Sequence, residues 1–288
     1  ATVEMWKFSD SCLSPLIVFS VVFTVVFPLA EAVAHEYWLS PSAYGASPGQ
    51  TVSVQAFVGS DFKGELRPFA TTRTVRLEVQ SAERQDLKSA AINGDLNLAN
   101  VTLADDGGAV VAFETNFVSI ELPAEKFDDY LRKVGLDGPL QARQALGAEA
   151  GPGRERYARC AKTWIAGRDG ARLKKAFGMA LEIIPRNDPL EPGRLSVLVL
   201  YYSLPLEGTL VKAWNQPLAN GVVPRDQSSR EPVKPSVEAR SDRDGVAVLQ
   251  IDGSGEWLIS TVHMVPSSDK KEADWESRWA SFTFARGK

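Results

Sequence analysis

Short segments of alternating apolar and polar residues make up most of the sequence after residue 50, and stretches rich in glycine or proline separate them. In residues 51–58, for example, valine or alanine occupies every second position from 52 onward. This alternation is typical of a strand with one buried face, because successive side chains of a strand point to opposite sides. Similar strand patterns occur at residues 72–79, 96–103, 109–122, 179–184, 195–202, 209–214, 246–251, 256–265 and 279–284. The chain is therefore predicted to be mainly β.

The period changes to a helical one after residue 122. Phe127, Tyr130 and Leu131 recur at helical spacing, and Gly135 is expected to end that helix. Residues 139–148 and 154–166 are also predicted to be helical. Basic residues concentrate in the last of these segments, which indicates either a solvated helix face or a site for an anion or partner.

A proline-rich stretch at residues 185–193 is the best candidate for a domain boundary. The 288 residues suffice for two domains of ordinary size. The prediction is two β-sandwich (immunoglobulin-like) domains, residues 35–186 and 187–288, with an α-helical insertion at about residues 123–168 in the first.

The first 34 residues have the pattern of a signal peptide. Residues 16–27 are an apolar run of 12 residues, which is shorter than an ordinary membrane span, and Ala32-Val33-Ala34 matches a cleavage signature. We therefore expect residues 1–34 to be removed and the mature protein to be periplasmic or secreted, without a membrane span. An uncleaved N-terminal anchor is the alternative.

Charge and cysteine content limit the other classes of function. The formal net charge of −4 gives no basic excess for nucleic-acid binding. Cys12 lies in the predicted leader, so Cys160 would be the single cysteine of the mature chain and could form no internal disulfide. We expect its thiol to be buried on a helix.

Cleavage after Ala34 would make His35 the N-terminal residue. Its α-amine and imidazole would then form a bidentate nitrogen chelate, and nitrogen ligands suit Ni(II) and Cu(II). His263 is the only other histidine, and Glu36 supplies a carboxylate next to His35. A metal site formed by His35, His263 and Glu36 is the resulting hypothesis. The alternative for His263 is a hydrogen-bonded strand residue without a metal.

Six sequence segments together resemble a known family. They are AHEYWLSPS, PGQTVSVQAFVGSDFKGEL, FDDYLRKVGLDG, RERYARCAKTWI, SDRDGVAVLQIDGSGEWLISTVHM and ADWESRWASFTF, which lie in this order within residues 34–284. The chain is similar to a family of secreted bacterial proteins related to NikM, the periplasmic component of nickel uptake systems. Much of that family is known only as a domain of unknown function.

The resemblance implies a β-sandwich architecture with a helical insertion and an exported location. It also implies a role in handling nickel or another transition metal, with a membrane metal transporter as partner. In nickel uptake proteins, terminal and histidine nitrogens hold the metal near the exported N-terminus. The matching position is His35, with His263 as the second candidate ligand.

The leading interpretation is therefore an exported protein that binds Ni or Cu for metal uptake or homeostasis and is not an enzyme. No P-loop or HExxH motif is present in the sequence. The alternative is a cell-envelope sandwich module that binds a carbohydrate or protein partner. In that interpretation tryptophans form a sugar-stacking surface, although tryptophans in strands more often belong to the core. A histidine-brace copper oxidase is a third possibility.

Overall fold

The computed structural model describes Thr2 and residues 35–147, 150–168, 170–219 and 222–287. The description below concerns the unit within residues 32–288. Apart from Thr2, the predicted signal peptide lies outside the described residues.

Strands dominate the described residues, which form 17 strands and two α-helices. The elements up to residue 165 are β1 (Glu36–Pro41), β2 (Thr51–Ser60), β3 (Lys63–Arg67), β4 (Thr74–Gln80), β5 (Arg84–Asp86), β6 (Asn97–Thr102), β7 (Ala109–Thr115), β8 (Val118–Leu122), α1 (Ala124–Val134), α2 (Asp137–Leu146) and β9 (Gly153–Ile165). The later strands are β10 (Leu181–Pro185), β11 (Gly193–Tyr201), β12 (Leu204–Pro205), β13 (Leu210–Gln216), β14 (Val237–Arg240), β15 (Val246–Ile251), β16 (Gly255–Pro266) and β17 (Trp275–Arg286). The prediction of a mainly β chain with helices between strands is confirmed.

A nine-stranded sheet forms the middle layer, in the order β14-β13-β16-β17-β9-β7-β4-β5, and β8 also pairs with β9. All its neighbouring strands are antiparallel except β17 and β9, which are parallel. One four-stranded sheet contains β1-β2-β3 with β6 beside β2, and another contains β10-β11-β12 with β15 beside β11. The middle sheet therefore contains strands from both sides of the predicted boundary near residue 187.

Both faces of the central sheet are buried. On β7, Val110 and Ala112 join the core shared with the β10–β11 sheet. Their neighbours Val111 and Phe113 join the core shared with the β1–β2 sheet. The fold thus has two sheet-on-sheet sandwiches that share the central sheet.

The prediction of a helix at residues 154–166 is wrong, because this segment forms β9. Cys160 and Trp164 face one core, whereas Ala161 and Ile165 face the other. A strand buried on both faces lacks the polar–apolar alternation that identifies a half-buried strand. Its alanine, arginine and lysine residues favour a helix, but pairing with β7 and β17 on either side overrides that local preference. Cys160 is buried as predicted, on a strand instead of a helix.

The two predicted helices before residue 150 are confirmed as α1 and α2. Gly135 ends α1 with a left-handed conformation, φ 75°. The buried side of α1 packs through Phe127 and Leu131 against Val262 and Trp279 of the central sheet. This packing places the C-terminal end of α1 close to β13 and to the start of β1. None of the helices in the described ranges is long and apolar enough to cross a membrane.

Candidate functional site

His35 lies at the entrance to β1. Its Nδ1 is 2.8 Å from the Ser60 hydroxyl oxygen at the end of β2, and its carbonyl oxygen accepts a hydrogen bond from the guanidinium of Arg159. The imidazole is half-buried. Burial, followed by the positive charges of Arg159, Lys133 and Arg67, lowers the pKa of His35. The ring is therefore neutral at pH 7 and retains a lone pair that can bind a metal.

Glu36 follows at the start of β1, and its side chain lines a cavity of about 210 Å³, here called the Glu36 cavity. His35 does not contribute to the described lining. Burial raises the pKa of Glu36, and the charges of Lys133 and Arg159 oppose this effect in part. Its carboxylate has no ion-pair partner among the described residues.

His263 lies on the opposite face of the central sheet. Its neighbours on β16, Val262 and Met264, pack beneath α1, so the alternation of the strand directs His263 away from them. Its ring contacts Tyr201 of β11 edge to face, with 4.6 Å between ring centroids. Burial lowers the pKa of His263. The central sheet thus separates His263 from His35, and the predicted pairing of the two histidines is absent from this arrangement.

No group of three or more histidine, cysteine, aspartate or glutamate side chains in the described part of the chain is placed to share an ion. The three predicted ligands His35, Glu36 and His263 therefore do not converge. Of these, His35 retains one property that metal binding requires. Its imidazole is half-buried and neutral, directly before the first strand.

The Glu36 cavity is bounded by the end of α1, the turn after β2, and strands β13 and β16. Its described lining includes five charged side chains, Glu36, Asp61, Lys133, Lys212 and Glu238. Lys212 Nζ lies 3.1 Å from Glu238 Oε1 and donates a hydrogen bond of 2.7 Å to the carbonyl oxygen of Lys133. Lys212 and Glu238 therefore neutralise each other. Two carboxylates and the ammonium of Lys133 remain without an ion-pair partner in the described structure.

Asp61 reaches this cavity from an unusual hairpin turn between β2 and β3. The two turn residues, Asp61 and Phe62, have φ angles of 56° and 55°, where Asn-Gly is the common choice. A left-handed backbone costs about 1–2 kcal/mol for a residue other than glycine. Burial of the Phe62 ring offsets that cost, since it packs edge to face on Trp38 with centroids 5.4 Å apart and beneath the guanidinium of Arg230. The packed ring fixes the position of Asp61.

Two tryptophans in the lining provide unused hydrogen-bond donors. Trp214 of β13 and Trp279 of β17 both line the Glu36 cavity. Both residues are buried, and neither Nε1–H has a partner among the described atoms. A buried donor without a partner costs about 1–3 kcal/mol, so a ligand with acceptor atoms would relieve this cost.

A larger cavity, of about 610 Å³, lies elsewhere and is lined in part by Tyr44 and Arg286. The Arg286 guanidinium already donates to the carbonyl oxygens of Ile251 at 2.9 Å, Pro189 at 2.8 Å and Glu191 at 2.7 Å. Its charge therefore serves to hold the loop before β11 and the end of β15 against the last strand.

Most of the tryptophans considered for a sugar-stacking surface belong to the core. Trp38, Trp214, Trp257 and Trp279 are all buried, at most 4% exposed, and Trp275 is half-buried. The expectation that tryptophans in strands are core residues is confirmed for these four.

The positive charges of the basic segment around residue 160 are mostly paired within the fold. Three of its cations form ion pairs with nearby carboxylates, Arg154–Asp274 at 2.8 Å, Arg156–Glu276 at 2.6 Å and Lys162–Glu182 at 2.9 Å. The segment is neither a solvated helix face nor a cluster of unpaired positive charge.

The Glu36 cavity leaves no continuous pattern in the sequence. Its residues come from a helix end, a turn and several strands, and Asp61 and Trp279 are more than two hundred positions apart. Each has an ordinary local explanation as a turn, surface or core residue. The one local signal was the pair Asp61-Phe62 in a two-residue hairpin turn, where neither residue is the usual glycine or asparagine.

Comparison with known sequences gives a family and no activity. No curated protein sequence matches the chain. The sequence profile of the family described as "Domain of unknown function (DUF4198)" matches residues 32–265. That match covers β1 to β15 and most of β16. The chain therefore belongs to the DUF4198 family.

Proposed function

We propose that this chain is an exported protein that binds Ni(II) or Cu(II) at His35 and supports metal uptake or homeostasis. The observation that carries the proposal is the position of His35, a neutral, half-buried imidazole directly after Ala32-Val33-Ala34 and at the start of β1. Cleavage before His35 adds an α-amine, and amine and Nδ1 then close a six-membered chelate ring around one metal ion. Ni(II) and Cu(II) favour such nitrogen donors.

Metal binding at His35 must displace a hydrogen bond and overcome nearby positive charge. A metal at Nδ1 takes the place of the Ser60 hydroxyl, which lies 2.8 Å from that nitrogen. Arg159, Lys133 and Arg67 repel a cation, whereas Glu65 attracts it. The hydrogen bond from Arg159 to the His35 carbonyl oxygen holds the backbone of the chelating residue in place.

Two nitrogens from one residue leave several coordination positions for water or for another protein. An open site of this kind suits a protein that passes its metal to a partner, whereas a closed set of four protein ligands suits a structural site. The resemblance to the NikM-related proteins supports a membrane metal transporter as that partner. His263 has no part in this proposal.

The first experiment establishes the N-terminus of the exported protein by Edman sequencing or mass spectrometry. Isothermal titration of the processed protein with Ni(II) and Cu(II) is then expected to show one ion bound per chain. Binding should be lost in His35→Ala and in a variant with one glycine added before His35, while His263→Ala serves as the matched control and keeps the affinity. Dissociation constants weaker than micromolar, or equal binding by His35→Ala, would overturn the proposal.

A further inference from the structure

The Glu36 cavity combines unpaired groups of opposite charge with unpaired neutral donors. Its lining includes the carboxylates of Glu36 and Asp61 and the ammonium of Lys133, none of which forms an ion pair in the described structure. The indole N–H groups of Trp214 and Trp279 add two donors without partners in the described structure. A buried donor without a partner costs about 1–3 kcal/mol, so the two indoles favour a ligand with acceptor atoms, and the charged groups beside them select its charges.

We infer that the Glu36 cavity binds a small α-amino acid, whose ammonium faces Glu36 and Asp61 and whose carboxylate faces Lys133 and the two indoles. Neither a simple anion nor a simple cation fits all of these groups. An anion would leave two carboxylates close to its own charge, and a cation would leave Lys133 and the indole donors unused. A zwitterion satisfies both sets at once.

Size and lining further define the amino acid. The volume of about 210 Å³ corresponds to about seven molecules of liquid water at ~30 Å³ each. That space suits a single small molecule and excludes an oligosaccharide or a folded partner. Val134, Leu210 and Val262 also line the cavity, which favours an apolar side chain such as that of valine or leucine.

Both carboxylates are placed by the fold. Glu36 begins β1 and has no ion-pair partner among the described residues. Asp61 is held at the cavity by the Phe62 ring, so the carboxylate side of the site exists before the ligand arrives. Preorganisation of this kind reduces the entropy lost on binding.

Isothermal titration of the chelator-treated processed protein with the standard L-amino acids tests the inference without metal. We expect saturable binding of leucine or valine. Two analogues of leucine separate the charges: leucinamide lacks the carboxylate and 4-methylpentanoate lacks the ammonium. Each is expected to bind at least about tenfold more weakly, which is the effect of losing one hydrogen bond to a charged group.

Variants locate the ligand. Lys133→Met and Trp279→Phe should each weaken leucine binding about tenfold, because each removes a group that faces the ligand carboxylate while keeping most of the packing volume. Lys175→Met, at an exposed lysine in the segment before β10, is the matched control and should bind normally. His35→Ala should also bind normally, so the cavity can be tested even if the metal proposal fails. Circular dichroism verifies that each variant is folded.

Three results would overturn the inference. The first is no saturable binding of any standard amino acid at millimolar concentration. The second is equal binding of leucine and either analogue, which would identify a simple anion or cation site. The third is normal leucine binding in both Lys133→Met and Trp279→Phe, which would place the ligand elsewhere on the protein.

Discussion

Glu155 provides a direct test of the energetics of the fold, because it is a carboxyl group wholly buried beneath α1. Its Oε1 accepts hydrogen bonds from the Ser277 hydroxyl and from the Tyr130 hydroxyl at 3.2 Å. Its Oε2 has no partner among the described residues. Burial raises the pKa of Glu155 to about 7, although the hydroxyls of Ser277 and Tyr130 and the charge of Arg159 act in the opposite direction.

The sign of the resulting pH dependence follows from proton binding. Between the usual pKa of 4.5 and about 7, the folded chain retains a proton on Glu155 that the unfolded chain has released. This stabilising contribution is complete below pH 4.5 and is lost as the pH rises through 7. The difference between the two pKa values corresponds to about 3 kcal/mol of unfolding free energy.

Urea unfolding of the wild type and of Glu155→Gln at pH 5 and pH 8 measures this contribution. Because glutamine does not titrate, the stability of the wild type relative to the variant should fall by about 2–3 kcal/mol from pH 5 to pH 8. Glu207→Gln, at an exposed position, is the control and should follow the wild type at both pH values. An equal pH dependence for wild type and Glu155→Gln would refute the reasoning.

Three further predictions concern the core. The pKa of the buried Cys160 thiol is raised to about 12, so Ellman's reagent should modify it only after unfolding, and reaction of the folded protein would contradict this burial. Lys162→Met leaves the carboxylate of Glu182 buried without its cation. Urea unfolding should then show a loss of about 3–5 kcal/mol in unfolding free energy. A loss below about 1 kcal/mol would mean that the backbone N–H groups around Glu182 are enough to stabilise its charge. A Cβ at Gly153 would lie 2.0 Å from the Phe127 ring, so Gly153→Ala should lower stability by about 1–3 kcal/mol. The double variant with Phe127→Leu should recover part of that loss if this contact is the cause.

Elements with one buried face could be predicted from the sequence. β2 and β15 show alternation in their residues, and α1 shows a helical period ended by Gly135. β9 could not be predicted in this way, because burial on both faces removes the alternation. The pairing of β9 with β17 could not be predicted either, since pairing across more than a hundred residues leaves no local pattern.

The candidate site was predictable to a smaller extent. His35 is predicted as a candidate ligand from the sequence after Ala34, but its place before β1 and its relation to His263 depend on the fold, since His263 lies on the other face of β16 from Val262 and Met264. The Glu36 cavity could not be predicted, because it exists only where α1, a hairpin turn and the central sheet meet. The buried tryptophans were correctly interpreted as core residues, while their unpartnered N–H groups become visible only in three dimensions.

The parallel pair of β9 and β17 affects the order in which the chain can fold. The hydroxyls of Thr163 and Thr283 are 2.8 Å apart across this pair, yet 120 positions separate the two residues. Closing so long a loop costs entropy before the contacts compensate, which slows folding. During synthesis, β9 emerges well before β17, and until β17 arrives one edge of β9 is open to strands of other chains. Pairing with other chains therefore competes most with folding while the segment between these two strands is being made.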